Sequence, residues 1–343
     1  MRLAGSSEPR ERGPNYEPWL LETVRANLPA LAADPTLRVK RIATRRLKYS
    51  VIEEWLASGA GAEQRLIVKR FGAHLLDAYL QGEAAERHLR GEYEALATLW
   101  PIFHAESGLA VPRPLGYLVG DTVLVMEKVP GTPLLEALRL FPLIGSARVA
   151  RAVERCGVWL ATLHNATEVD LSPAESLDRA LEELERSATN CARLGLPPSL
   201  LSAAVRYARR CAPTAIARGA VAGSHGDFNS SNVLVHGEAL TVLDFTYYQN
   251  GSVFHDPAYF LGMLERHLGP RPTGALRRRF LDGYRRHRPL DPDALNCFRV
   301  AQKLRIAEWD HGPPKRWDVR GALRWRAELR RLTAWLHRHV PHS

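Results

Sequence analysis

A chain of 343 residues, 45% hydrophobic and 24% charged, is long enough to bury a large core as one big domain or as two lobes. No run approaches the roughly 18 consecutive apolar residues of a membrane span, and Met1 to Pro14 lacks the apolar core of a signal peptide, so a cytoplasmic location is expected. The net charge of +10 is uneven: residues 271–343 hold 18 Lys/Arg against 7 Asp/Glu, whereas the other residues hold 29 against 30.

Residues 16–33 read as a short helix with Trp19, Leu20, Val24 and Leu28 on one side. Three strand-like runs follow, at about 36–43, 47–57 and 64–71. The turn between the first two is read at Ala43–Lys48 and the next at Ser58–Gly61. A helical stretch over 74–100 is broken near Gly82 and Gly91, and short strands lie at Leu115–Val119 and Thr122–Glu127. Beyond Pro130-Gly131-Thr132-Pro133 the pattern becomes helical, at about 134–140, 146–166, 173–194 and 198–211. Strands at Val233–Val235 and Thr241–Leu243 flank a His236-Gly237-Glu238 turn. Helices at about 257–268, 273–287, 291–310 and 318–339 complete the chain. Cys156, Cys191, Cys211 and Cys297 are too irregularly spaced for a zinc or redox motif and read as buried free thiols. Trp309, Trp317, Trp325 and Trp335 cluster near the C-terminus, where core packing is the default for most of them.

The informative segment runs from Ser224 to Val235 and resumes at Thr241-Val242-Leu243-Asp244-Phe245. Asp227 lies five residues before Asn232, a strand follows, and Asp244 ends the next strand. Phosphoryl transfer needs a carboxylate to orient the attacking hydroxyl and accept its proton, and oxygen ligands to hold Mg²⁺ against the phosphates. Asp227 suits the first task. Asn232 and Asp244 offer the hard oxygens that Mg²⁺ takes, and the hairpin between them returns both to one end of a small sheet.

This segment resembles the aminoglycoside phosphotransferase and choline kinase superfamily. The family pattern of His-Gly-Asp, Asn five residues on, and Asp-Phe after an apolar strand is met by His225-Gly226-Asp227, Asn232 and Asp244-Phe245. The later Asp-Pro step is met by Asp256-Pro257. The resemblance covers about residues 36–265 and implies an α+β, bilobal, protein-kinase-like fold with a small β-rich N-lobe and a larger helical C-lobe. It divides the chain into an N-terminal helical extension (1–35), a nucleotide-binding N-lobe (36–129) and a C-lobe (130–343) carrying the catalytic loop, metal site and acceptor-binding helices. It implies that Asp227 is the base, that Asn232 and Asp244 hold Mg²⁺, and that His225 and Asp256 brace the loop. Lys69, ending Leu66-Ile67-Val68-Lys69, is implied to meet the ATP phosphates, with Glu92 as its partner and Glu86 as a rival. Met126, Glu127 and Val129 are implied to form the hinge that meets adenine. The family's glycine-rich loop is missing from the turn after the first strand, where basic side chains stand instead.

The implied activity is transfer of the ATP γ-phosphoryl group to a hydroxyl of a small molecule, with GTP in place of ATP left open. Acceptor-site candidates are Tyr247, Tyr248, His255, Trp309 and Asp310. The basic C-terminal region argues against a polycationic aminoglycoside and for a sugar, polyol, lipid headgroup or natural product. A choline- or ethanolamine-like acceptor, held by cation–π contact with Tyr247 or Tyr248, stays open as an alternative, as does an aminoglycoside. So does a catalytically silent binding or regulatory protein. A nucleic-acid partner ranks last, because no nucleic-acid module is recognisable, and either a monomer or a homodimer fits.

Overall fold

The computed structural model describes residues 16–47, 50–59, 61–71, 82–105, 108–144, 146–217, 219–268, 270–310 and 319–340. Two compact units emerge, one of Met1–Trp100 with Pro112–Val129 and one of Pro101–Val111 with Pro130–Ser343.

In the first unit, α1 (Glu17–Asn27) and α2 (Pro29–Ala32) replace the single helix expected over 16–33. The break falls at Leu28 (φ −118°, ψ 89°) because a residue before proline is driven out of the helical region. Three antiparallel strands follow: β1 (Arg38–Arg46), β2 (Ser50–Ser58) and β3 (Glu63–Phe71). The turn expected at Ala43–Lys48 is mostly strand. Thr44, Arg45 and Arg46 stay paired with Glu53, Ile52 and Val51, and Leu47 N–H donates to Ser50 O at 2.8 Å, which confines the connection to residues 48 and 49. The turn after β2 closes where expected, through Gly59 N–H to Ala62 O at 3.0 Å.

Next comes α3 (Glu83–Ala105), which runs unbroken through Gly91. Its interior glycine costs about 1 kcal/mol, but burial of Leu89, Glu92, Leu96, Leu99 and Phe103 on one side carries the helix past it. Residues 72–81, the start of the expected helix, lie outside the described residues. After β4 (Leu109–Ala110), which belongs to the second unit, β5 (Pro114–Leu118) and β6 (Val123–Glu127) complete a sheet ordered β1-β2-β3-β6-β5.

Alternate residues of β2, namely Val51, Glu53, Trp55 and Ala57, are buried. Trp55 and Ala57 share a core with Leu66, Val68, Val125 and the Tyr16, Leu20 and Val24 side chains in and beside α1. Glu53 is tolerated there because Tyr16 Oη, Trp55 Nε1 (3.0 Å) and Arg41 Nη1 (3.3 Å) all donate to it. The described part of the expected N-terminal helical extension, from Tyr16 to Leu31, therefore packs on one face of this sheet.

The second unit continues with β7 (Thr132–Pro133), α4 (Leu134–Ile144), α5 (Ala147–Ala166), α6 (Ala174–Arg193) and α7 (Pro198–Ala217). Then come β8 (Val221–Ser224), β9 (Val233–His236), β10 (Ala239–Val242) and β11 (Gln249–Ser252). The last helices are α8 (His255–Leu268), α9 (Pro270–Arg285), α10 (Pro292–Asp310) and α11 (Val319–His339). Small sheets form in the orders β4-β10-β9-β7 and β11-β8. Leu184 and Cys191, Leu200 and Ala204, Val300 and Leu304, and Trp335 and Leu336 build a helical core from α6, α7, α10 and α11. Trp335 thus packs as expected, whereas Trp317 and the side chains of Trp309 and Trp325 lie outside the described residues. Three cysteines are buried free thiols, but Cys211 is only half-buried. No described helix is long and apolar enough to cross a membrane.

A row of aromatic rings supports the loop between β8 and β9. Phe103, Trp159, Phe228, Phe260 and Phe280 follow one another at centroid separations of 4.5, 5.4, 5.3 and 4.7 Å. Phe228 thereby anchors the loop one residue beyond Asp227.

Candidate active site

In the first unit, β3 carries Lys69 to a buried position, with Nζ 2.6 Å from Glu92 Oε2 and 4.8 Å from the centre of the Phe71 ring. The two side chains retain only 8% and 1% of their exposure, so this is a desolvated ion pair. Glu86, six residues and 240° around the helix from Glu92, makes no ion pair among the described residues. Met126 is buried in β6. The N–H groups of Glu127 and Lys128 donate to Arg113 O and Arg65 O, both at 3.0 Å, so Val129 is the expected hinge residue that lies past these bonds. The Glu127 carboxylate pairs with Arg113 Nη1 at 3.2 Å.

In the second unit, residues 225–232 fold around the Asp227 carboxylate. Its Oδ1 accepts from Asn229 Nδ2 (2.9 Å) and Tyr259 Oη (2.8 Å), and its Oδ2 accepts from Asn232 Nδ2 (2.9 Å). The three donors fix the rotamer while the group stays partly accessible. His225 donates from Nε2 to Leu243 O (2.9 Å) and accepts the Asp227 N–H at Nδ1 (3.3 Å), a pattern that ties the loop to the end of β10. Both ring nitrogens of His225 are thus engaged by backbone groups.

Asp256, wholly buried at the start of α8, accepts the backbone N–H groups of His225 (2.6 Å) and Gly226 (3.0 Å). Burial pushes its carboxyl up, but the hydrogen bond and charge of His255, with the nearby His225 and His164 rings, outweigh it and hold the group well below the usual carboxylate range. Gly226 has φ +79°, and a Cβ there would stand 2.5 Å from Tyr247 O, so the position demands glycine.

Asn232 and Asp244 come together through the hairpin. Val233 pairs with Val242, and Leu243 N–H donates to Asn232 O at 2.8 Å, which places Asp244 beside Asn232 at one end of β9 and β10. Asp244 is exposed and adopts φ +68°, a left-handed conformation rare outside glycine and concentrated at functional sites. Thr246 Oγ1 donates to its Oδ1 at 2.7 Å. Phe245 turns the other way, into the core against His225 and Trp159.

The acceptor candidates separate. Tyr247 is exposed at 43%, while Tyr248 is half-buried, with its hydroxyl bonded to Thr167 and its phenol pushed up mainly by burial. His255 Nδ1 lies 3.3 Å from Asp256 Oδ1 and 3.4 Å from Ser224 Oγ, which makes it part of the loop's support. Trp309 and Asp310 end α10, and their side chains lie outside the described residues. Neighbouring Glu308 is held by Ser187 Oγ and Asn190 Nδ2, each at 2.7 Å.

Two groups on Asp227 escaped the sequence reading, Asn229 and Tyr259. Tyr259 stands one helical turn beyond Asp256, so both face the loop from the same side of α8, and that i, i+3 spacing was the available signal. Burial, then the Asp227 charge and hydrogen bond, push its phenol far above the ordinary range, so Tyr259 remains a proton donor to Asp227. The Arg305 guanidinium lies 5.3 Å over the Tyr259 ring and 3.6 Å from Glu183.

The described residues thus hold a β-rich unit with a buried Lys–Glu pair and a helical unit with an Asp–Asn–Asp loop. The chain belongs to the phosphotransferase enzyme family, which is matched over residues 53–290. Solved structures with the same fold include a choline kinase from Cryptosporidium parvum Iowa II, 13% identical over 94% of this chain and 97% of that one, with a TM-score of 0.53. A glucosamine kinase in complex with glucosamine, ADP and inorganic phosphate is 17% identical over 96% and 100%, with a TM-score of 0.51. An amicoumacin kinase in complex with AMP-PNP, Ca²⁺ and Ami is 14% identical over 95% and 94%, with a TM-score of 0.51. No curated protein matches the sequence.

Proposed function

We propose that this protein transfers the γ-phosphoryl group of ATP to a hydroxyl of a neutral or anionic small molecule. The observation that carries the reading is the Asp227 carboxylate, fixed by three donors at the end of the hairpin that presents Asn232 and Asp244. In this reading Asp227 orients the acceptor hydroxyl and takes its proton as the oxygen attacks phosphorus and ADP departs. Lys69, held by Glu92, binds nucleotide phosphate, and the backbone near Val129 meets adenine.

The residues fit a divalent ion. Asp244 offers an exposed carboxylate, and Asn232, whose Nδ2 points to Asp227, keeps its amide oxygen for another partner. Mg²⁺ commonly takes one or two such protein oxygens and completes its shell with water and phosphate. When bound, it would neutralise charge on the transferring phosphates.

The acceptor class is supported by charge beside Asp227. The Arg305 guanidinium lies over the ring of Tyr259, whose hydroxyl touches the Asp227 carboxylate, and a cation there disfavours a polycationic acceptor. The exposed Tyr247 ring next to Asp244 favours, as a second reading, a compact quaternary or primary ammonium alcohol.

The test measures thermal stabilisation by ATP with Mg²⁺, then ADP release over a panel of hydroxylated acceptors. Wild type should be stabilised, Asp244→Ala should lose the Mg²⁺-dependent part, and Asp227→Ala should bind nucleotide but not turn over. Substantial turnover by Asp227→Ala would refute the assignment of the base. No stabilisation of wild type by ATP or GTP would support a silent kinase-fold protein instead.

A further inference from the structure

The phosphate-binding role proposed for Lys69 leaves open what replaces a glycine-rich loop, since no glycine occurs between Ala43 and Ser50. We infer that Arg45 is a second phosphate-contacting residue, a cation on β1 that stands on the same sheet face as Lys69. This inference rests on the kinase reading and deepens it.

The sheet register carries the argument. Arg45 pairs with Ile52, Ile52 with Lys69, and Lys69 with Leu124, so these four residues form one row across β1, β2, β3 and β6. Directly paired residues share a face. The opposite face is the one buried under α1, with Val51, Glu53 and Trp55. A β-bulge decides which face Arg45 takes. The register shifts between Arg41 and Ala43, leaving Ile42 as the extra residue. Without it, strict alternation from buried Val39 would turn residues 41, 43 and 45 alike toward α1. With it, Arg41 stays on the α1 side, 3.3 Å from Glu53, and Arg45 swings to the side of Lys69.

Charge and geometry on this face agree. Arg45 is exposed and has no ion-pair partner among the described residues. Glu54, the carboxylate in the next row, is engaged by Arg65 (3.0 Å) and Lys128 (2.7 Å). Two interstrand spacings put the Arg45 and Lys69 Cα atoms about 10 Å apart, so their long side chains can hold one polyphosphate from two sides. A guanidinium supplies the paired donors that suit phosphate oxygens.

The experiment compares two adjacent arginines that differ in face. Arg46 pairs with Val51 and so lies on the α1 side. Calorimetric dissociation constants for Mg²⁺·ATP and for adenosine are measured on wild type, Arg45→Gln, Arg45→Lys, Arg46→Gln and Lys69→Ala. Arg45→Gln should weaken Mg²⁺·ATP about tenfold, the size of one charge-assisted hydrogen bond. Arg45→Lys should recover part of that loss, and adenosine binding should not change. Arg46→Gln should match wild type. Equal losses in both Gln variants would reduce the effect to diffuse charge and overturn the inference. So would an unchanged Arg45→Gln beside a weakened Lys69→Ala. Wild type that binds no nucleotide would overturn the kinase reading, and this inference with it.

Discussion

Replacing Glu92 with Leu should destabilise the first unit by about 3–5 kcal/mol, because it removes the buried carboxylate that neutralises the Lys69 ammonium. The magnitude follows from the geometry: Nζ and Oε2 are 2.6 Å apart, and the side chains keep 8% and 1% of their exposure. Lys69→Met should cost a similar amount by removing the ammonium that neutralises the buried Glu92 carboxylate. The double variant removes both charges and fills the space with apolar groups, and should return to within about 1–2 kcal/mol of wild type. Urea unfolding of nucleotide-free protein, followed by tryptophan fluorescence, would measure this. Trp55 lies buried on the other face of the same sheet and reports its integrity. A loss below about 1 kcal/mol for Glu92→Leu, the range of an exposed pair, would sink the argument, as would a larger loss for Glu86→Leu.

Tyr259→Phe should lower the rate of ATP turnover about tenfold, the value of one hydrogen bond to a charged group, while leaving the Mg²⁺·ATP dissociation constant unchanged. A parallel loss of nucleotide affinity would mean that Tyr259 merely supports the fold. Stability should fall as pH drops from about 6.5 to 4. Burial lowers the His164 imidazole to about 4 from its ordinary 6.5, so the unfolded chain takes up the proton first and the folded state loses ground across that window. The full loss is about 3 kcal/mol at 1.36 kcal/mol per unit. His164→Gln should flatten the dependence, and urea midpoints at pH 7 and 4.5 that fall equally in both proteins would place its source elsewhere.

Much of this protein was legible in its sequence because the determining signals are local. Helical periodicity located the long helices of the second unit, although α7 runs six residues past its expected end, and the turn at Gly59 closes where expected. The spacing of Asp227, Asn232 and Asp244 marked the loop, since a short hairpin must return its two ends together. Tertiary structure decided what local preference could not. The strands Val221–Ser224 and Gln249–Ser252 contain residues with little taste for extended structure and exist because they pair with each other. Glu86 and Glu92 were both plausible by spacing, and only the folded structure, through the 2.6 Å contact of Lys69 Nζ with Glu92 Oε2, chose Glu92. Tyr259 reached Asp227 because α8 starts with Asp256 pinned beneath the loop. On β1, one bulged residue, Ile42, reversed the faces of everything after it. An alternating pattern read along one strand cannot reveal such a reversal, because the register is a property of the pair.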